Sequence, residues 1–396
     1  MASATASTLE TPSVSVPQTS ASASTNFPPI KIGTRRSTLA QIQARLVEKT
    51  LKDTYPDRKY AIHAILAQGD RDKVTPLQQL SMGENAKSLW TGELEEMLLK
   101  GELDMIVHCL KDMPTQLPPS LSIGCICPRE DPRDVLVVSP KLSSICKNLA
   151  SLPEGSTIGT SSVRRAAQLR RLHPTLKFAD VRGNVGTRLA KLDAEDSLFA
   201  AIILAAAGLK RLGMEDRITQ YLSKDSGGML YAVGQGALAI EVRENDTVVK
   251  EMLAKIGSER TTRACSAERA LLRSLEGGCS VPIGVETEWR GGKRGVAAGV
   301  EPAKEYGKDG KAIEEERDDE ILDSEELVLR TIVVSVDGTE SVETEMIRKV
   351  TSVADAEAMG RDIAKVLVEK GADKILEKIN KEKQWVAKKE LGVAST

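Results

Sequence analysis

The sequence predicts an α/β protein with two similar lobes and a last third built on a different plan. Three observations carry this. Strand-like runs alternate with helical stripes from Ile30 to Leu204. Two phrases nearly repeat: Ile32-Gly33-Thr34 before Arg35-Arg36-Ser37, and Ile158-Gly159-Thr160 before Ser161-Ser162-Val163-Arg164-Arg165. After residue 258 a helix leads into strand-like segments and a final helix, without that alternation. Alternating strands and helices imply mostly parallel sheets covered on both faces. The near-repeat suggests an anion site at one strand-to-helix turn of each lobe.

Ile30-Lys31-Ile32 alternates as a strand, Gly33-Thr34 turns, and Leu39, Ile42, Leu46 and Val47 mark one face of a helix. Tyr60 to Leu66 is a second strand. Residues 67–88 lose periodicity and read as a mobile loop. Trp90, Leu94, Met97 and Leu98 form a helical stripe ending at Gly101. Met105-Ile106-Val107 is a buried strand, and Pro114 ends the short segment after it. Val135 to Val138 is the next strand, and Thr157 to Thr160 leads into a helix stopped by His173-Pro174. Lys177 to Val181 is extended, Leu189 to Leu192 helical, and Ala201 to Leu204 a buried strand. In the last third, a helix buries Ala264, Ala267, Leu271, Leu272 and Leu275. Strands come next at 281–285 and 331–336, then a helix with Met359, Ile363, Val366 and Leu367 inward. Residues 314–326 carry nine acids against Arg317 alone, as expected of a solvated insertion.

A chain of 396 residues exceeds one ordinary core. Its composition, 41% hydrophobic and 28% charged, is that of a soluble globular protein. No apolar run approaches the roughly 18 residues that cross a bilayer, so no membrane is expected. Six spread cysteines do not form a disulfide framework, and free thiols in a reducing compartment are expected. Residues 1–29 hold Ser, Ala, Thr and Pro without Lys or Arg, unlike a mitochondrial presequence. The expectation is a disordered tail on a cytoplasmic, monomeric protein.

Positive charge is concentrated. Thr160 to Leu192 holds Arg164, Arg165, Arg170, Arg171, Lys177, Arg182, Arg188 and Lys191 against Asp180 alone. Several of these stand where helices open, at Thr160-Ser161-Ser162 and at Gly183 to Thr187. Helix starts present unpaired N–H groups to anions, and arginine forks match carboxylates. Ser and Thr that only cap helices, with arginines facing water, are the ordinary alternative. The clustering points instead to a multivalent anion. A net charge of −2 and few aromatics near the basic turns argue against nucleic acid. The histidines and the Cys125/Cys127 pair have no zinc spacing, so no metal is expected. Asp112 closely follows the buried strand 105–107, near the strand end where open α/β sheets place ligands, although a turn aspartate before Pro114 reads the same way. Cys279 follows Gly277-Gly278 after a helix, a thiol with little steric cover.

These stretches resemble the porphobilinogen deaminase family of the eukaryotic type. The match covers roughly residues 30–300 and resumes at 345–380. It runs through GTRRS (33–37), VHCLKDMP (107–114), REDPRD (129–134) and GTSSVRRAAQL (159–169). It continues in RGNVGTRLAKLD (182–193), AIILAAAGLKRLG (201–213), AVGQGAL (232–238) and LEGGCSVPIG (275–284). The resemblance implies two hinged lobes like periplasmic anion-binding proteins, plus a smaller α+β domain. Lobe 1 would comprise 30–130 with 237–257, lobe 2 residues 131–236, and the third domain 258–396 with a charged insertion around 290–345. It also implies a dipyrromethane cofactor held covalently by Cys279, with Lys87, Asp112, Ser162, Arg164, Arg165 and Arg188 around it. Arg35, Ser37, Arg182, Arg188 and Arg211 would bind the substrate porphobilinogen, and Asp112 would be catalytic. Each pyrrole brings two carboxylates, which suits the arginine field.

Cys109 stands where the family commonly has Ser, and Gln79 about where some members have a basic residue. A non-catalytic two-lobed anion binder would leave Cys279 and Asp112 idle. A cysteine hydrolase built on His108 and Cys109 would need strand neighbours that point to opposite faces to meet.

Overall fold

The computed structural model describes residues 28–67, 91–275, 281–290 and 324–390. Lys87, Gln79, the loop at 67–88, Cys279, the tail at 1–29 and most of the acidic run at 314–326 therefore lie outside the described residues, Pro28, Pro29, Ala67, Ser324 and the run's last acids apart. The first sheet takes β1 (Ile30–Arg35), β2 (Tyr60–Ile65), β3 (Met105–Cys109) and β4 (Leu121–Ile126). The second takes β5 (Asp134–Val138), β6 (Thr157–Gly159), β7 (Lys177–Ala179), β8 (Ala201–Ala205) and β9 (Gln220–Leu222). The chain then returns, and β10 (Leu238–Arg243) inserts between β3 and β4, giving the orders β2-β1-β3-β10-β4 and β7-β6-β8-β5-β9. A third sheet, antiparallel throughout, orders β11 (Ile283–Trp289), β12 (Glu326–Val334) and β13 (Ser341–Lys349).

The sheets of the two lobes are mixed, which corrects the expectation of mostly parallel pairing. β1 is parallel to β2 and β3, and β6 to β7 and β8. β10 is antiparallel to both its neighbours, as is β5 to β8 and β9. The antiparallel strands are those next to the segments that cross between lobes, and a chain entering a lobe from its partner runs opposite to the local βα units.

Helix α1 (Thr38–Thr54) starts where the Ser37 side chain accepts from Ala40 N–H. The expected stripe of Leu39, Ile42, Leu46 and Val47 is only partly the buried one. The sheet takes Gln43, Ala44, Val47 and Leu51, while Leu46 is 44% exposed. Leu39 instead reaches Gly208 of the other lobe, so α1 serves two partners and its apolar stripe is split between them. The remaining helices of the lobes are α2 (Gly92–Leu99), α3 (Val163–Leu172), α4 (Val185–Asp193), α5 (Ala206–Arg211) and α6 (Thr247–Ala254). In the third domain α7 (Glu259–Ser274) packs on α8 (Val353–Glu369), where Gly360 admits the α7 backbone at Ala267, and α9 (Ala372–Glu390) comes last.

A buried ion pair ties the domains together. Arg129, on the crossing after β4, forks onto Glu268 of α7 at 2.6 and 3.1 Å, with neither side chain exposed. Glu268 also accepts from Thr287 Oγ1 at 2.7 Å and from Gly234 N–H at 2.8 Å. The carboxylate is thus satisfied by groups from both crossing segments and the third sheet, as a buried charge requires.

Candidate active site

Parallel strands put their carboxyl ends on one edge, and Arg35 and Asp112 of the first lobe meet there. Asp112 closes a single 3-10 turn, Leu110–Asp112, directly after β3. Arg35 ends the neighbouring β1, and its Nη1 lies 3.8 Å from Asp112 Oδ2, both side chains being partly exposed. Lys111 beside it is half-buried and donates to Gln235 Oε1 at 3.3 Å. Burial pushes the Lys111 ammonium below its ordinary value, and Asp112 opposes that shift.

In the second lobe the turns after β6, β7 and β8 share one edge for the same reason. Ser162 caps α3 by accepting from Arg165 N–H, and Asn184 caps α4 by accepting from Thr187 N–H. Arg164 and Arg165 occupy the first turn of α3, where the helix dipole disfavours cations. Asp134, at the start of β5, offsets this. It pairs with Arg164 at 2.8 Å and Arg165 at 2.7 Å, all three nearly buried. Burial alone would raise the Asp134 carboxyl, but the two guanidinium groups hold it well below the usual range. Arg164 also donates to the Leu230 carbonyl and Arg165 to that of Ile203. Gln235 joins the halves: its amide nitrogen donates to Asp134 Oδ1 at 2.9 Å while its oxygen accepts from Lys111. Gly236, at φ 87°, permits this path, since a side chain there would collide with the Glu130 carbonyl.

Arg188 is the most telling cation. Its Nε donates to the Gly183 carbonyl at 2.8 Å. Burial, then repulsion from Arg165 and Arg182, pushes it down to about 10, with Asp112 pulling the other way. Like charges held together in a desolvated cleft are what an anion relieves. Arg211, at the end of α5, donates to the Gly236 carbonyl at 2.6 Å, and burial lowers it as well. Arg170 and Arg171 do not join the cluster. They bond Val336 O and Ser341 Oγ and fasten the second lobe to the third domain.

Sequence reasoning missed Asp134 and Gln235. Both sit inside quoted motifs, REDPRD and AVGQGAL, yet no local spacing reveals that they meet. It placed His108 and Cys109 correctly on opposite faces: His108 pairs with buried Glu241 at 2.9 Å, while Cys109 meets Gln43. Among the described residues no helix is long and apolar enough to cross a membrane.

This fold and edge define a two-lobed α/β protein with clustered arginines and a partly exposed carboxylate, Asp112, at the strand ends. A family model described as porphobilinogen deaminase, dipyromethane cofactor binding domain, matches residues 30–251, and one for the porphobilinogen deaminase C-terminal domain matches 262–298. The porphobilinogen deaminase of Neurospora crassa is 46% identical over 89% of this chain and 94% of its own. That of Yarrowia lipolytica is 44% identical over 90% and 95%, and that of Saccharomyces cerevisiae 42% over 89% and 97%. The chain belongs to the porphobilinogen deaminase family. Among solved structures it is similar to the aliphatic sulphonate binding protein SsuA of Escherichia coli, at 16% identity and TM-score 0.31 over 63% of this chain and 70% of that one.

Proposed function

We propose that this chain condenses porphobilinogen head to tail into linear hydroxymethylbilane with release of ammonia, in the tetrapyrrole (heme) route, and that Asp112 is its catalytic carboxylate. The observation that carries the reading is Asp112 at the end of β3, with Arg35 at 3.8 Å and the Arg165, Arg182 and Arg188 charges facing the same edge. The residues present fit a dipyrromethane, because mutually repelling, desolvated arginines suit its carboxylates. Cys279 would hold that group, with Lys87, Ser162, Arg164, Arg165 and Arg188 toward its acidic side chains. When bound, it supplies the free α-carbon from which the chain grows.

The protein's own residues do the rest. Arg35, Ser37, Arg182, Arg188 and Arg211 orient the incoming substrate by its acetate and propionate. The Asp112 carboxylate opposes the positive charge that develops on the substrate pyrrole as its aminomethyl C–N bond breaks and ammonia leaves. The same carboxylate is placed to take part in the proton transfer that restores aromaticity. The three domains, with lobe 1 at 30–130 and 237–257, lobe 2 at 131–236 and the third at 258–396, act together as a monomer in the cytoplasm.

Mass spectrometry of the intact protein tests this directly. Wild type should carry a dipyrrole adduct and give the Ehrlich colour. Cys279→Ser should lose both, and a serine variant that kept them would overturn the assignment. Arg188→Ala should weaken substrate or cofactor binding by about 1.5–3 kcal/mol, the range for a charged hydrogen bond. Steady-state kinetics should show this as a raised KM that depends strongly on salt. An unchanged KM would remove Arg188 from the binding set.

A further inference from the structure

Cys125 and Cys127 take no part in the arginine-lined site. They stand two residues apart, Cys125 in β4 and Cys127 just past its end, both against the same apolar cluster of the first lobe. β4 slips register against Ile240 and Glu241 of β10 at this point, and such a bulge bends the strand. Both thiols are half-buried and free. Immediately beyond them the chain crosses to the second lobe. Cys127 N–H donates to the Leu238 carbonyl at 2.9 Å, tying the outgoing crossing to the returning one. Arg211 of the second lobe interacts electrostatically with Cys127 while bonding the Gly236 carbonyl.

The two sulfurs are not equivalent. Cys125 lowers the Cys127 thiol against the opposing effect of burial, and Arg211 helps, whereas Cys125 is pushed up by its neighbour Cys127 and by burial. The thiolate is the reactive form toward peroxides.

We propose that Cys125 and Cys127 are a peroxide-oxidisable dithiol whose disulfide shifts the lobe crossing and displaces Arg211. The Cys127 thiolate attacks hydrogen peroxide, so that an S–O bond forms, the O–O bond breaks, and the departing hydroxide takes a proton to become water. Cys125 sulfur then attacks Cys127 sulfur. The S–S bond forms, the S–O bond breaks, and the hydroxyl leaves with the Cys125 proton as a second water. Two thiols lose two electrons in all, and one peroxide is reduced to two waters.

Alternate residues of an extended strand stand about 6.6 Å apart, whereas a disulfide needs β-carbons about 3.8 Å apart. Closing the bond therefore shortens the end of β4 and pulls on the Cys127–Leu238 hydrogen bond. A strained disulfide is the readily reduced, regulatory kind.

The test treats holoenzyme with hydrogen peroxide, blocks remaining thiols with N-ethylmaleimide and digests with trypsin. Peptide 112–129 contains both cysteines and no others. It should lose two hydrogens and take up no maleimide, while activity falls about tenfold or more, as for a misplaced binding group. Dithiothreitol should reverse both. Cys125→Ser, or Cys125→Ala if the hydroxyl disturbs packing, should show no bridged peptide and no reversible loss of that size. Two maleimides on peptide 112–129 of inactivated enzyme would overturn the proposal, as would the full reversible loss in a Cys125 variant. A bridged peptide with unchanged activity would overturn the coupling to Arg211. The activity arm rests on the deaminase reading, and the mass arm does not, so the two can fail separately.

Discussion

Asp112→Asn should still acquire its pyrrole adduct, at least in part, yet elongate about a hundredfold or more slowly, with little change in KM. The substitution keeps shape and hydrogen-bonding capacity and removes one negative charge. With the substrate carboxylates addressed by the arginines as proposed above, binding should be spared. What is lost is the charge that opposes a cationic pyrrole, together with a proton acceptor, and positioned acid–base groups contribute typically 10²–10⁴-fold. The Arg35 guanidinium, now 3.8 Å from a neutral amide, also loses its counter-charge. Single-turnover kinetics, with mass spectrometry counting the pyrroles on each protein, separates this from a binding defect. Elongation at the wild-type rate would show that Asp112 is not the catalytic carboxylate.

The part of this site legible in the sequence is the part that local structure determines. A buried strand running into a polar turn places Asp112, and the structure has β3 ending three residues before it. Thr160-Ser161-Ser162 and Gly183-Asn184 announce helix starts, and Ser162 and Asn184 do cap α3 and α4. Strand order is not legible. β10 pairs with β3 and β4 more than a hundred residues upstream, and its run Leu238 to Arg243 is buried almost throughout, without the alternation that would set it apart. β13 does alternate, from Ser341 to Lys349, and still escapes notice because its polar positions resemble a loop. Partners of the arginines are illegible for a related reason. Arg164 and Arg165 read as ligand-binding forks, but what holds them is Asp134, thirty residues earlier and brought close only by the pairing of β5 with β8.

Asp134→Ala should accordingly be the most damaging change in the second lobe. Asp134 is 1% exposed and offsets two guanidinium groups that are themselves buried. Removing it leaves two desolvated like charges at a helix N-terminus, where the dipole adds to the repulsion. Breaking a buried pair costs about 3–5 kcal/mol, and urea unfolding should show a midpoint lowered to match. The pH dependence gives an independent reading. A carboxyl held below its unfolded value of about 3.9 contributes stability that is present above that pH and lost as pH falls through the folded value. Wild type should therefore show an acid-linked loss below about pH 3.9 that Asp134→Ala lacks. A polycarboxylate bound at the arginines would supply the missing anion, so porphobilinogen should stabilise the variant more than it stabilises wild type. If the variant unfolds at the wild-type urea concentration, Arg164 and Arg165 do not depend on Asp134 and are balanced by the cleft itself.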